Sequence, residues 1–315
     1  MKKFAVIFIF LFSLCFPLLA EDILNNPAYI AQLGYGSTKD SAESKALAAL
    51  SKFFQMNISV QAKEQTILND SNFETTLSEE VFVQSYTELF AVHYTKPKYD
   101  KKQKQYEVIA YIDRKEAWII YEPKLNDWIS QFEQFYSDAI SQNDAILKIA
   151  GLSKAYQNAK ENELYQKLDF AQILNPNQAE KFSGTRNHLL EIEPMLRRIA
   201  KQCSISIFCE NDFEESVSRA IGNFFSNYGI TIVDNNSQYF CYIKVIENSQ
   251  VLPAGIFYSP SFSLKIETRD TVLISGEGQL KRIGAKNPTV AQQRAYTSLS
   301  QEILKLLQKE FMSLC

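Results

Sequence analysis

Apolar residues in this chain repeat at steps of three and four over some stretches and at every second residue over others, and the changes of period mark out its elements. Residues 29–35 predict a short strand that ends in Gly34-Tyr35-Gly36. Ser37 stands three residues before Asp40, a pattern that opens a helix, because a hydroxyl can accept from an orphan amide while an acid sits at the positive helix end. Ala42, Ala46, Ala49, Leu50 and Phe53 then share one helical stripe. Its small side chains let the helix lie close on a sheet, for which residues 55–63, 80–95 and 105–114 are the candidate strands. In the last, Tyr106, Val108, Ala110 and Ile112 alternate with Glu107, Ile109, Tyr111 and Asp113. Both sets hold apolar residues, so this strand is predicted to be central and paired antiparallel with 80–95. Between them, residues 96–104 carry five lysines and one acid and read as a solvated hairpin tip.

From about residue 124 to 202 the period is helical: Trp128, Phe132, Phe135, Tyr136 and Ala139, then Ala145, Ile149, Leu152, Tyr156 and Ala159, then Leu164 and Leu168, then Leu189, Ile192, Leu196 and Ile199. Pro176, Gly184 and Pro194 interrupt it, Pro194 as a possible kink inside a helix. No repeat of 34 residues is visible. Beyond residue 203 the strand-helix-strand order of the first unit recurs. A strand at 204–208 leads to Asp212-Phe-Glu-Glu215, read as a capping box, and to a helix bearing Val217, Ala220, Ile221, Phe224 and Phe225 that stops at Tyr228-Gly229. Strands are expected at 230–233, 239–246, 261–269 and 272–282, with Ser275-Gly276-Glu277-Gly278 as a bulge or twist. Asn287-Pro288 opens a terminal helix striped by Ala291, Ala295, Leu299, Ile303 and Leu306. The fold class is therefore α+β: two helix-on-antiparallel-sheet domains, residues 21–122 and 203–315, joined by an α-helical connector at 123–202.

The first twenty residues change the picture by giving an address. Lys2 and Lys3, an apolar run from Phe4 to Leu19, and Ala20 before Glu21-Asp22 make a secretory signal peptide, too short and wrongly flanked for a lasting membrane span. Cleavage between Ala20 and Glu21 is expected. The competing reading is lipidation at Cys15, although Leu14 stands where a lipobox has a small residue. Removal of the leader leaves 295 residues with no later stretch of about twenty apolar residues, hence no transmembrane span in the mature chain. A periplasmic or outer-membrane-associated location follows. Hydrophobic residues make up 46% of the chain, enough for two cores, and ten glycines with nine prolines favour long regular elements. Without Lys2 and Lys3, 31 basic side chains face 36 acidic ones, which excludes a generally basic nucleic-acid binder.

Cys203 and Cys209 bracket an expected strand and cannot bond across it, since six extended residues span about 20 Å and a disulfide needs Cα atoms within about 7 Å. Cys241, on another strand, is the partner either one would take; small buried thiols without a bond are the alternative. Cys315 is the frayed last residue. Of the two histidines, His93 falls in a strand and His188 in a helix, neither with a ligand-spaced neighbour, so no metal site and no cofactor is expected. Gly34-x-Gly36 lacks the further glycine and the Gly-Lys-Ser or Gly-Lys-Thr of a nucleotide loop, and no Gly-x-Ser-x-Gly frames a serine. The acidic pairs Glu79-Glu80 and Glu214-Glu215 are adjacent rather than opposed across a substrate, the second pair reading as helix-dipole groups.

Gly34-Tyr35-Gly36-Ser37, the alanine-rich helix from Asp40 to Ser51, Ile58-Ser-Val60, Val83-Gln-Ser85 and the strand from Tyr106 to Asp113 occur in that order in one domain family. About a third of the chain, residues 28–122, thus resembles the Lpp-twenty family of small outer-membrane lipoproteins and the similar N-terminal domain of the flagellar assembly protein T family. The resemblance implies an α+β envelope domain with no catalytic residues to carry over. The last third resembles, in topology alone, small α/β domains of outer-membrane assembly lipoproteins and curli-type secretion proteins. The expectation is an exported, non-catalytic envelope protein whose partners are envelope proteins or components of the cell wall or outer membrane, with Tyr111, Tyr242 and Tyr258 as candidate contact aromatics. An assembly factor for a surface organelle such as the flagellum, and an unfamiliar periplasmic hydrolase, are the alternatives.

Overall fold

The computed structural model describes residues 20–68 and 89–314, with side chains from 22 to 58 and from 89 onward. Within it the chain divides into two compact units: the residues up to Lys124 with Asp169–Glu180, and Leu125–Leu168 with Lys181 onward. The helical stretch at 123–202 is thus shared between them.

In the first unit a short helix α1 (Ala20–Leu24) precedes strand β1 (Tyr29–Gly36), helix α2 (Lys39–Leu68), and strands β2 (Val92–Tyr94), β3 (Lys98–Asp100) and β4 (Gln105–Asp113). Strand β4 is central, antiparallel to β1 on one side and to β2 and β3 on the other, as its two apolar faces require. Residues 98–100 therefore pair as strand, and only the tip beyond them is loop.

Helix α2 is capped one residue later than expected: Ser41 N donates to Thr38 Oγ1 at 3.2 Å and Ala42 N to the Thr38 carbonyl at 3.1 Å. It also continues through residues 55–63, which alternation had assigned to a strand. No Gly or Pro breaks that stretch, and buried Phe54 and Ile58 extend the stripe of Ala42, Ala46 and Leu50 at steps of four. The helix lies on β1 at a separation that admits no side chain. A Cβ on Gly34 would fall inside the backbone of Ala42 and Ala46, and one on Gly36 inside that of Ser41 and Ala42.

Helix α3 (Arg114–Ser141) begins where β4 ends and runs past Pro123. Asp113 Oδ1 accepts from Lys115 N at 2.9 Å and Glu116 N at 3.0 Å, so the last strand residue caps the helix. Its first turns bury Ala117, Trp118 and Tyr121 in the first unit. Phe170, from helix α5 (Leu164–Leu174), packs on Phe54 and Tyr121 at centroid distances of 4.9 and 4.8 Å. Arg114 Nη1 donates to the carbonyls of Ile173 and Leu174, which terminate α5 and lack helical partners. Burial lowers the pKa of this guanidinium from its ordinary value.

Helix α6 (Pro176–Ala179) belongs to the first unit, and in the second unit helices α4 (Ala145–Glu161) and α7 (Ser183–Ala200) complete the helical region, with Pro194 inside α7. Then follow β5 (Ser204–Glu210), α8 (Ser216–Asn227), β6 (Thr231–Ile232), β7 (Tyr239–Ile246), β8 (Ser249–Leu252), β9 (Gly255–Tyr258), β10 (Ser261–Glu267), β11 (Val272–Gln279), β12 (Ile283–Ala285) and α9 (Pro288–Met312). The five-stranded sheet runs β11-β10-β7-β5-β6, antiparallel through β7 and parallel where β5 meets β7 and β6. A separate sheet, β12-β9-β8, has no counterpart in the sequence reading. Helix α9 serves both: Ala291 and Ala295 pack with Tyr258 and Leu280 by the small sheet, while Leu299, Ile303, Leu307 and Phe311 join Val217, Ile221 and Phe225 of α8 in the larger core.

Two local readings are corrected. Asp212 is not part of a box with Glu215: Glu214 and Glu215 are left-handed, at φ 52° and 56°, and the helix starts after them. Asp212 reaches across this bulge to accept from Val217 N at 2.9 Å and Ser218 N at 2.8 Å. Gly276 and Gly278 lie in regular strand register, and the irregularity falls at Ile266/Glu267 instead. These glycines provide clearance, since a Cβ would sit 2.7 Å from Leu306 Cδ2 and 2.6 Å from Phe262 Cε1. Cys203, Cys209 and Cys241, for which the sequence left a bond and free thiols open, carry free thiols here. Cys241 faces Ile207 in the ladder, two residues from Cys209, about 7 Å of strand. Cys203 Sγ turns instead to the Ile199 carbonyl at 3.4 Å. Burial pushes the Cys203 thiol up to about 11 and, with Asp212 nearby, Cys209 up to about 12; Cys241 is raised as well.

Replacing Gly34 with Val forces α2 off β1. It is expected to cost about 3 kcal/mol, measured as a lower urea midpoint at unchanged m-value. The raised thiol pKa values leave negligible thiolate near pH 8. Iodoacetamide at that pH, followed by peptide mass mapping, is expected to modify Cys203 and Cys241 only after denaturation.

Candidate functional site

The residues singled out from the sequence do not converge. Cys15 lies outside the described residues, as do Glu79 and Glu80; Ala20 and Glu21 open α1. His93, on β2, places Nε2 2.8 Å from Glu116 Oε2 of α3 in a hydrogen bond open to solvent, and its ring lies 5.4 Å from that of Tyr111. His188, on α7, meets Glu133 of α3 at 2.9 Å through Nδ1 and stacks on Tyr136 at 4.4 Å. Each imidazole is thus held by one carboxylate and one aromatic ring, in separate units. Among the described residues no group of three His, Cys, Asp or Glu side chains could hold a metal ion, and no helix is long and apolar enough to cross a membrane.

The three aromatics fare differently. Tyr258 is buried at 7% exposure beneath α9, so it is not a surface residue. Tyr111 is half-buried against Tyr29 and His93. Tyr242 is exposed at 40% and belongs to a larger feature. Along β7, Cys241, Ile243 and Val245 point into the core while Phe240, Tyr242, Lys244 and Ile246 point out. Register carries this outer row across the sheet: Phe208 of β5 lies opposite Tyr242, and Lys265 of β10 lies on its other side. Phe208 and Tyr242 stack at 5.3 Å with planes 17° apart, Phe240 and Tyr242 at 6.3 Å and 21°. Lys265 Nζ stands 5.6 Å from the Tyr242 ring centre, and Lys244 pairs with Glu210 at 3.5 Å. Among the described residues, these half-exposed, near-parallel rings in a frame of paired charges present an exposed apolar stripe.

Phe208 was missed because it closes a five-residue run, Ser-Ile-Ser-Ile-Phe, taken simply as strand. Its outward direction was available from alternation with buried Ile205. Beside it lies a groove of about 580 Å³ lined by Ile207, Phe208, Arg219, Asn223, Ile232 and Asp234, among others. It follows the flank of β5 where β6 has ended, with α8 as its other wall. The row is aromatic, and the groove is lined by apolar residues of β5 and β6 and by polar residues of α8.

No family model matches the chain, and no curated protein matches it. Among solved structures, it is similar to a secreted protein of Helicobacter pylori, at 14% identity and a TM-score of 0.33 over 90% of this chain and 98% of that one. It is also similar to a minor lipoprotein of Acinetobacter baumannii, at 12% identity and a TM-score of 0.28 over 34% of this chain and 90% of that one. A lipoprotein of Neisseria meningitidis is similar at 12% identity and a TM-score of 0.21 over 32% of this chain and 98% of that one.

Proposed function

We propose that this chain is an exported, non-catalytic binding protein of the cell envelope, working by surface contact with other envelope components. The observation that carries the reading is the outward aromatic row of Phe208, Phe240 and Tyr242. Three aromatic side chains on one open sheet face leave apolar area in water that a partner would remove at about 25 cal/mol per Å². The export reading rests on the leader pattern of residues 1–20, with Ala20 and Glu21 flanking the cut. The likeness of residues 28–122 to the Lpp-twenty family agrees with an envelope address and supplies no catalytic residue. The two histidines, each engaged by one carboxylate in a different unit, are given structural roles.

A photoreactive amino acid at position 242, in cells producing the full chain, tests this. Irradiation is expected to yield adducts with envelope proteins or cell-wall material in the envelope fraction, and none from a control probe at Lys160 on the exposed side of α4. Adducts with flagellar basal-body proteins would make it an organelle assembly factor. Equal labelling from both positions, or residence of the chain in the cytosol, would overturn the reading.

A further inference from the structure

Among the described residues, the edge of the five-stranded sheet is only half closed. Thr231 N donates to the Cys203 carbonyl at 3.1 Å and Val233 N to the Ile205 carbonyl at 3.0 Å. Residues 203 and 205 therefore turn their backbone groups toward β6. In a parallel ladder the direction alternates along the strand, so 204, 206, 208 and 210 serve β7 while 207 and 209 face the same side as 205. Strand β6 is two residues long and pairs only with Ser204 and Ile205. The chain then leaves the edge, and the Val233 carbonyl, which would have taken the Ile207 amide, accepts from Ser206 Oγ at 2.8 Å instead. The amides and carbonyls of Ile207 and Cys209 consequently point past the end of β6.

The groove lies where that stretch begins, with Ile207 and Phe208 in its lining. Its wall on the α8 side is polar and low, formed by Ser218, Arg219, Gly222, Asn223 and Ser226. Gly222 carries no side chain, and a Cβ there would meet only Ile207 Cδ1, at 3.8 Å. Unpaired strand edges in soluble proteins are normally blunted by charge, proline or cover. Here the flanking charges are engaged with each other, Glu210 with Lys244 at 3.5 Å and Arg219 with Glu215 at 4.0 Å, and no proline lies between residues 204 and 210.

We propose that the groove beside Ile207 and Phe208 of β5 binds an extended peptide segment of a partner protein, which adds to the sheet as a sixth strand in line with β6 and continues along the edge at Cys209. The backbone groups of Ile207 and Cys209 select a main chain over a sugar or a lipid, because they offer donors and acceptors at the repeat of a strand. The groove is lined by α8 on one side and by residues 232–234 at the end of β6. Side chains on one face of the added strand lie beside Phe208, those on the other beside Arg219 and Asn223. The ligand is thus a segment with apolar residues at every second position, alternating with polar or acidic ones. This deepens the binding-protein reading and depends on it.

The probe is a phage-displayed library of random dodecapeptides panned on the mature chain, with the best binder synthesised and titrated by fluorescence anisotropy. Alternating sequences are expected to be enriched. Asn223→Trp, which fills the groove from an exposed helix position, should weaken binding at least tenfold without altering the circular dichroism. N-methylating every second peptide amide in one register should weaken binding at least tenfold, and in the other register should leave it unchanged. Failure to enrich any sequence, equal tolerance of both methylation registers, or binding unaffected by Asn223→Trp would overturn the proposal. So would self-association abolished by Asn223→Trp, which would make a second copy the occupant. Crosslinks from position 242 that persist in Asn223→Trp would leave the broader binding reading standing while the groove fails.

Discussion

The constraint on which the first unit depends is the absence of side chains where α2 crosses β1. Backbone meets backbone at Gly34, Gly36, Ala42 and Ala46, and each added methyl would have to displace a whole element. Close approach brings α2 over β1 and β4 together, so that Leu50, Phe54 and Ile58 reach a core that also holds Val108, Ala110 and Ile112. In the second unit the same need is met at two smaller sites. Gly276 makes room for Leu306, and Ala291 with Ala295 brings α9 down beside the small sheet. The interiors of both units are thus defined by what is left out as much as by what is buried.

Sealing one face of each sheet this tightly determines what the other face can do. In β7 the inward positions 241, 243 and 245 are fully committed to the core, which sends 240, 242, 244 and 246 outward with no freedom to turn. Aromatic rings fixed on a rigid ladder lose little entropy on contact, which suits them to recognition. The open half of β5 has a similar origin. The chain is drawn away after Ile232 by the bond between Ser206 and Val233, and α8 is held back from the edge by the polar wall it presents. The exposed aromatic row and the open edge arise where packing requirements end.

Much of this was legible in the residues. The alternation of β4, the stop at Gly229 with φ 79°, the Asn287-Pro288 start and the stripe of α9 all follow from local chemistry, and the structure realises them. The misreadings share a cause. Residues 55–63 contain Ile and Val at spacings that suit a strand, yet Phe54 and Ile58 lie on the same helical stripe as Leu50, and tertiary packing settles the matter. Asp212 was assigned to a local box because Glu215 stands three residues on, whereas the backbone inserts a left-handed bulge and the carboxylate caps from farther back. Asp113 as a cap was concealed by its place at the end of a strand. The aromatic row was partly visible as alternation, but the half-open edge was not, because it depends on where a neighbouring strand stops.

The most direct measurement of the account is residue-resolved amide hydrogen exchange along β5 in the free protein. The alternating ladder predicts slow exchange at Ser206, Phe208 and Glu210, whose amides serve β7, and exchange faster by orders of magnitude at Ile207 and Cys209. Uniform protection across residues 206–210 would mean that the edge is already closed, and the picture of a sheet awaiting another strand would be wrong.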